Sequence, residues 1–331
     1  MIKIKQKPEH FIVKEKLKLN LKENGQYTYY LLKKTDLNTI DAVNKISDRL
    51  NLSPKYINFA GTKDRKAITE QYISISKGPK KDLYLDGIEL KYLGEGDERI
   101  NLGSLEGNNF EITIETDQEL RLIKKTINYF DDQRFGMNKN NHVIGKLLVQ
   151  KKFKEACEVL MINAEGNNYV GALKKLHKKI LQLYVHAYQS YLWNETLSTY
   201  LKNQNQQVKE VPYSAGTFIF IKNPEPFLEL NVPLIGFASE DLETNEQIKE
   251  IIHHSMLKEN ISYRDFIIKQ IPELSSEGGT RTAFIEVKEL KIEDQQPDEL
   301  TPGKNKIKIS FILGKGSYAT LVIKKILNTL K

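Results

Sequence analysis

The chain has 331 residues, 40% hydrophobic and 28% charged, the balance of a folded chain rather than a disordered one, and this length predicts two domains. Its single cysteine, Cys157, excludes an intrachain disulfide and a cysteine-based zinc cluster and predicts a reducing, cytoplasmic setting. A net charge of +7 favours a polyanionic partner, since each neutralised phosphate releases a counterion; the start shows no secretory h-region, and no window supplies the roughly twenty apolar residues of a membrane span.

The first hundred or so residues read mainly as strands. Phe11-Ile12-Val13, Tyr27 to Leu32, Tyr56 to Phe59, Gln71 to Ile75 and Phe110 to Ile114 are β-branched or aromatic runs. An amphipathic helix is predicted from about Asn38 to Leu50, with Ile40, Val43, Ile46 and Leu50 on one face. A second is predicted after Asp117 as N-cap, with Leu120, Ile123, Ile127 and Phe130 on one face. From Gly136 to Arg281 helical periods dominate, in Ala172 to Asn203 and Glu246 to Leu257, with a proline-rich excursion from Pro212 to Pro233. Strand pattern returns in Phe284 to Val287, Ile307 to Leu313 and Tyr318 to Ile323. The reading is α+β: residues 1–135 and 284–331 form one domain whose sheet is completed by the last segment, and residues 136–283 are a mostly helical insertion.

The most informative stretch runs from Asn58 to Gln71, N-F-A-G-T-K-D-R-K-A-I-T-E-Q, a polar turn between two strand-like runs. It sets Asp64 between Lys63 and Arg65, cations that favour an ionised carboxylate and suit the phosphates of a polyanionic substrate. Gly61 lets the backbone approach a ligand. Taken alone, G-T-K-D-R is also an ordinary turn with a local ion pair.

Over its full length the stretch resembles the signature of the TruD family of pseudouridine synthases. Further segments of that pattern follow in order: Lys7 to Glu15, Gly107 to Ile112, Asn128 to Gly136, Ser190 to Asn194 and Gly314 to Thr320. The resemblance spans nearly the whole chain; it departs at His10, where the family pattern has an acidic residue. It implies a pseudouridine synthase fold, a mixed and mainly antiparallel sheet flanked by helices, interrupted by a mostly helical α/β TRUD insertion domain. It also implies isomerisation of uridine to pseudouridine in tRNA, typically uridine-13 of the D arm, with Asp64 as nucleophile and Glu15 lining the pocket. No cofactor is required, because the N1–C1′ bond is exchanged for a C5–C1′ bond without net redox change. The residues do not choose among attack at C1′, attack at C6 and abstraction of a sugar proton.

The target base has to be flipped out and held. Phe110 is the candidate for stacking on the uracil and Asn108 for orienting Asp64 or the base, although Phe110, Ile112 and Ile114 also alternate as in a half-buried strand. Arg134 and Arg281, at the expected domain junction, are candidate RNA contacts or carboxylate partners. Asp131 and Asp132 read as a helix terminus with side chains pointing apart rather than as a metal site. The histidines lack H-E-x-x-H spacing, and His253-His254 read as surface residues. Tyr184, Tyr188 and Tyr191 fall at helical spacing and read as core. Gly314-Lys315-Gly316-Ser317 is not a Walker motif, since Gly316 separates Lys and Ser. The leading expectation is a monomeric, metal-free, cofactor-free enzyme acting on tRNA with no obligate protein partner. The alternative is a non-catalytic tRNA-binding chaperone, against which stands a carboxylate at the centre of a basic site, where it would repel phosphate.

Overall fold

A computed structural model describes residues 3–204 and 206–328. The chain divides into two compact units, Met1–Lys124 with Glu286–Ala319, and Lys125–Ile285 with Thr320–Lys331. In chain order the first contributes β1 (Lys3–Ile4), β2 (Phe11–Lys16), β3 (Tyr27–Thr35), α1 (Thr39–Leu50), β4 (Ile57–Phe59), β5 (Ile68–Ser76), β6 (Leu83–Leu85), β7 (Ile88–Gly96) and β8 (Gly107–Glu115). Then come β9 (Lys125–Ile127), α2 (Asn141–Val149), α3 (Phe153–Val159), α4 (Tyr169–Lys174), α5 (Lys178–Lys202), β10 (Val208–Tyr213), β11 (Gly216–Ile221), β12 (Asn231–Leu234), α6 (Glu246–Glu259), β13 (Gly279–Thr282) and β14 (Phe284–Glu286). The chain returns to the first unit with β15 (Lys288–Ile292), β16 (Gln296–Pro297) and β17 (Asn305–Gly314), and α7 (Ala319–Leu327) follows.

Among the described residues the first unit holds an eleven-stranded sheet in the order β15-β17-β8-β2-β5-β3-β7-β6, with β1 on β8, β16 on β17 and β4 on β5. Only β2 and β5 run parallel, which needs the long crossover through β3, α1 and β4. The molecule is therefore α+β with a mixed, mainly antiparallel sheet. Strand register assigns one face. Lys34 stands opposite Thr69 and Leu32 opposite Gln71, Val13 opposite Thr69 and Phe110, Glu15 opposite Asn108, and Phe110 opposite Phe311. Over β3, β5 and β7 this face is covered by α1, where Ala42, Val43 and Ile46 pack on Tyr30, Leu32, Ile73, Ile75 and Leu90.

In the second unit α5 is the central element. Leu181, Val185, Ala187, Tyr188, Leu192, Trp193, Leu197 and Leu201 are all buried, which exceeds one apolar stripe. Buried polar groups on it are satisfied: the Trp193 indole donates to the Val232 carbonyl at 3.0 Å, and the Asn194 amide both accepts from Phe130 N at 2.9 Å and donates to Phe130 O at 2.8 Å. Helix α2 approaches so closely that a Cβ at Gly145 would stand 2.0 Å from the Tyr184 carbonyl oxygen.

Several expectations are corrected. Residues 117–124 form no helix; Asp117 instead accepts from Lys304 Nζ at 2.9 Å, and Lys125–Ile127 pairs as a strand with β14, a partner far along the chain that overrides local periodicity. Tyr318 to Ile323 is not a strand, since helix α7 starts at Ala319, with Thr320 bonded to Asp131 and Lys325 donating to the Ile221 carbonyl at 2.7 Å. Residues 320–331 accordingly fall with the second unit, and residues 125–135 with them. Ile40 is half exposed, whereas Val43 and Ile46 are buried as expected and Ala42 joins them on the buried face of α1. The proline-rich excursion contains the hairpin β10–β11 and the strand β12, which pairs with β13.

Candidate active site

Residues 60–67 connect β4 to β5 and are seated on the sheet by buried Ala60 and Ala67 at either end. Between these anchors buried polar side chains clamp the backbone. Gln71, on β5, donates from Nε2 to the Gly61 carbonyl at 3.0 Å and accepts from the Thr39 hydroxyl at 2.9 Å. That same hydroxyl, at the first turn of α1, accepts from Lys63 N at 2.8 Å. Lys34, on β3, donates from Nζ to the Asp64 carbonyl at 3.0 Å and also to Leu37 O. A Cβ at Gly61 would meet only Leu105, at 3.9 Å, so crowding does not demand glycine there.

The Asp64 side chain stands 28% exposed at the head of this loop, with its Oδ2 paired to the Lys5 ammonium. Lys5 also lies over the Phe11 ring, 3.9 Å from its centroid, and takes a left-handed backbone with φ 58°. The flanking cations behave differently from the expectation. Lys63 turns inward and pairs with Glu15, whose carboxylate is fully buried and also accepts from Tyr72 N at 3.2 Å. In this conformation Lys63 is engaged by a carboxylate rather than presented to a phosphate. Arg65 and Lys66 are exposed.

Phe110 is 6% exposed, stacked on Phe311 at 5.5 Å and edge-on to Phe11 at 6.3 Å. It therefore belongs to an aromatic cluster on the face that carries Glu15 and Asn108. The Asn108 Oδ1 is buried and has no hydrogen-bond partner among the described residues, an acceptor left open beside the Glu15 strand. His10, at the departure from the family pattern, closes a 3-10 turn and is 8% exposed.

Arg134 and Arg281 belong to the second unit, where both guanidinium groups lie over the Phe130 ring, at 5.2 and 4.1 Å. Arg281, on β13, donates to Asn128 O at 3.0 Å and to Asn128 Oδ1 at 2.6 Å, while the Arg134 Nε is buried with no hydrogen-bond partner among the described residues. Asp131 and Asp132 do not point apart; both accept from Lys324 Nζ, at 2.5 and 3.0 Å. Tyr188 is fully buried and its hydroxyl donates to Glu259 at 3.0 Å, whereas His253 and His254 are exposed. Among the described residues no group of three or more His, Cys, Asp or Glu side chains is placed to hold a metal ion. No described helix is long and apolar enough to cross a membrane.

Two residues around Asp64 escaped the sequence reading. Lys5 carried no signal, because a strand-like I-K-I-K run does not reveal which lysine turns towards a loop 59 positions away. Lys34 did carry one, since it falls in phase with Tyr30 and Leu32 on an inward-facing strand register and is 1% exposed. Burial pushes its ammonium down to about 8 from the ordinary 10.5, opposed by the nearby Asp64 and reinforced by Lys63.

The profile of the family described as tRNA pseudouridine synthase D (TruD) matches residues 1–166 and 161–326. Tested against individual proteins, the chain is 33% identical to the Aquifex aeolicus "tRNA pseudouridine synthase D" over 386 aligned positions, covering 98% of each. It is likewise 33% identical to the Nanoarchaeum equitans "Probable tRNA pseudouridine synthase D" over 390 positions, again covering 98% of each. A crystal structure from Methanosarcina mazei, described as the "Putative tRNA pseudouridine synthase D (TruD)", superimposes with a TM-score of 0.70 at 26% identity, covering 98% of this chain and 92% of that one. Signature loop, mixed sheet and full-length similarity agree, and the chain belongs to the tRNA pseudouridine synthase D (TruD) family.

Proposed function

We propose that this protein isomerises a uridine of tRNA, uridine-13 of the D arm, to pseudouridine, with Asp64 as the catalytic nucleophile. The observation that carries the reading is a partly exposed carboxylate on a loop whose backbone is clamped by the buried Lys34, Thr39 and Gln71. A group so held enters the reaction with little reorganisation, which is what a cofactor-free isomerase requires of its own side chains. The N1–C1′ bond breaks, the uracil turns, C5 bonds to C1′, and the C5 proton is lost while N1 gains one. The flipped base rests near Phe110, and the open acceptor of Asn108 takes an N–H of uracil. Arg65 of the loop and Arg134 and Arg281 of the second unit serve as contacts to the RNA backbone. Glu15 holds Lys63 and so supports the loop from beneath. In this reading the first unit, which carries Asp64, acts as the catalytic domain, and the second, built mainly from Lys125–Ile285, acts as the insertion domain of a cytoplasmic monomer.

The test is tritium release from 5-tritiated uridine in an unmodified tRNA transcript, comparing wild type with Asp64→Asn, with the modified position mapped. Release at position 13 by wild type, and none by a variant that still binds tRNA, is the expected result. Tight tRNA binding without release, over several tRNAs, would leave an RNA chaperone as the better reading.

A further inference from the structure

We propose that Lys34 is a positioning residue for the reaction: its buried ammonium fixes the main chain at Asp64 and thereby aims the carboxylate. The inference rests on the synthase reading above and deepens it. A lysine 1% exposed is unusual, because its charge has been withdrawn from water without a carboxylate to receive it. What receives it here is backbone: the Nζ donates to the Leu37 carbonyl, just before α1, and to the Asp64 carbonyl at 3.0 Å. One side chain thus ties the end of the β3 connection to the main chain of the candidate nucleophile.

The other clamps hold different atoms of the loop. Gln71 takes the Gly61 carbonyl and Thr39 the Lys63 amide, so at Asp64 itself the main-chain carbonyl is held by Lys34. The side chain of Asp64 is engaged separately, by the Lys5 ammonium. The charged groups facing Lys34 are Asp64 and Lys63, both on the loop, the latter paired to Glu15 of β2. Its register neighbours are the uncharged Thr69 of β5 and Ile88 of β7, and α1 presents Thr39 to the same loop. A hydrogen bond from an ammonium is about twice as strong as one from a neutral amine, so deprotonation would slacken the clamp without removing the side chain.

The direction of the linkage separates this role from a merely structural one. The Lys34 amine ionises near 8 when folded and near 10.5 ordinarily, so between those values the unfolded chain binds more protons and this group favours the fold more as pH rises. A clamp that works through its charge predicts the opposite trend in rate, which should fall as pH passes about 8.

The experiment measures single-turnover pseudouridine formation on saturating protein from about pH 6.5 to about 9.5, for wild type, Lys34→Met and Lys33→Met. Lys33 is the exposed neighbour on the opposite face of β3. Amide exchange of residues 60–67, corrected for the intrinsic pH dependence, is followed in parallel. Lys34→Met should lower the rate by about tenfold to a hundredfold, the scale of a small misplacement of reacting groups, with tRNA affinity within about twofold. The wild-type rate should decline above pH 8 while loop exchange accelerates, and this alkaline limb should be missing from Lys34→Met. Lys33→Met should match wild type in every respect.

A Lys34→Met protein with wild-type rate, or with its deficit in tRNA affinity rather than rate, would overturn the proposal, as would unaltered loop exchange. If that variant does not fold, the wild-type pH series decides, and a rate and loop exchange both flat through pH 8 would count against the clamp. An inert wild type would sink the synthase reading alone; the exchange comparison would still decide whether Lys34 holds the loop.

Discussion

Replacing Lys63 by methionine removes the counter-charge from Glu15 while keeping most of the buried volume. The carboxylate is fully buried and would retain only the Tyr72 amide, and breaking a buried pair from one side costs about 3–5 kcal/mol. The stranded group has an escape, which is to take up a proton. From the ordinary glutamate range that costs about 3.7 kcal/mol at pH 7 and about 1 kcal/mol at pH 5, so it caps the penalty and makes it pH-dependent. The folded variant then carries a proton that the unfolded chain lacks, and its stability should rise relative to wild type as pH falls from 7 to 5. The only tryptophan, Trp193, lies on α5 in the second unit, so fluorescence would report on the wrong part of the chain. Amide exchange of the buried strands β2 and β5 is the suitable assay. The double variant Lys63→Met, Glu15→Leu should regain most of the loss, because an apolar pair leaves no charge unpaired. A single-variant penalty below about 1 kcal/mol, unchanged between pH 7 and 5, would refute the buried-pair argument.

Phe110→Ala should destabilise the first unit by about 3–5 kcal/mol, since it empties a stack on Phe311, and should also slow turnover through poor base placement. Phe110→Leu separates the effects: a rate loss at near-native amide protection would identify the ring itself as the working part, and full activity would remove Phe110 from the site. Gly145→Ala should cost the second unit about 1–3 kcal/mol or more, because the new methyl meets the Tyr184 backbone and not a movable side chain; an unchanged melting temperature by Trp193 fluorescence would contradict that packing.

Much of the candidate site was legible because its residues are close in sequence. Asn58 to Gln71 carries carboxylate, glycine and cations in one run, and Glu15, Asn108 and Phe110 could be named from short segments that resemble the family's. What could not be read was which cation each carboxylate takes. Lys63 neighbours Asp64 in the chain yet pairs with Glu15, and Asp64 instead takes Lys5. Adjacent residues on an extended loop point to opposite sides, so proximity in sequence is a poor guide to pairing across it.

The same division holds for the fold. Alternation of β-branched and aromatic residues determined β2, β3, β5, β8 and β17, and helical spacing determined α1, α5 and α6, because those patterns follow from each element's own geometry. Residues 117–127 and 318–323 went the other way. The first has a helical apolar rhythm but yields a strand paired with β14, and the second has a β-branched run but forms α7, with Thr320 and Lys324 bonded to Asp131. In both, groups distant in sequence supplied partners worth more than the fraction of a kcal/mol per residue that separates helix from strand propensity. Sequence alone therefore determined the α+β class, the main elements and the signature loop, whereas the strand order, the clamps on Asp64 and the fate of weakly committed segments were decided by long-range pairing, which no local pattern encodes.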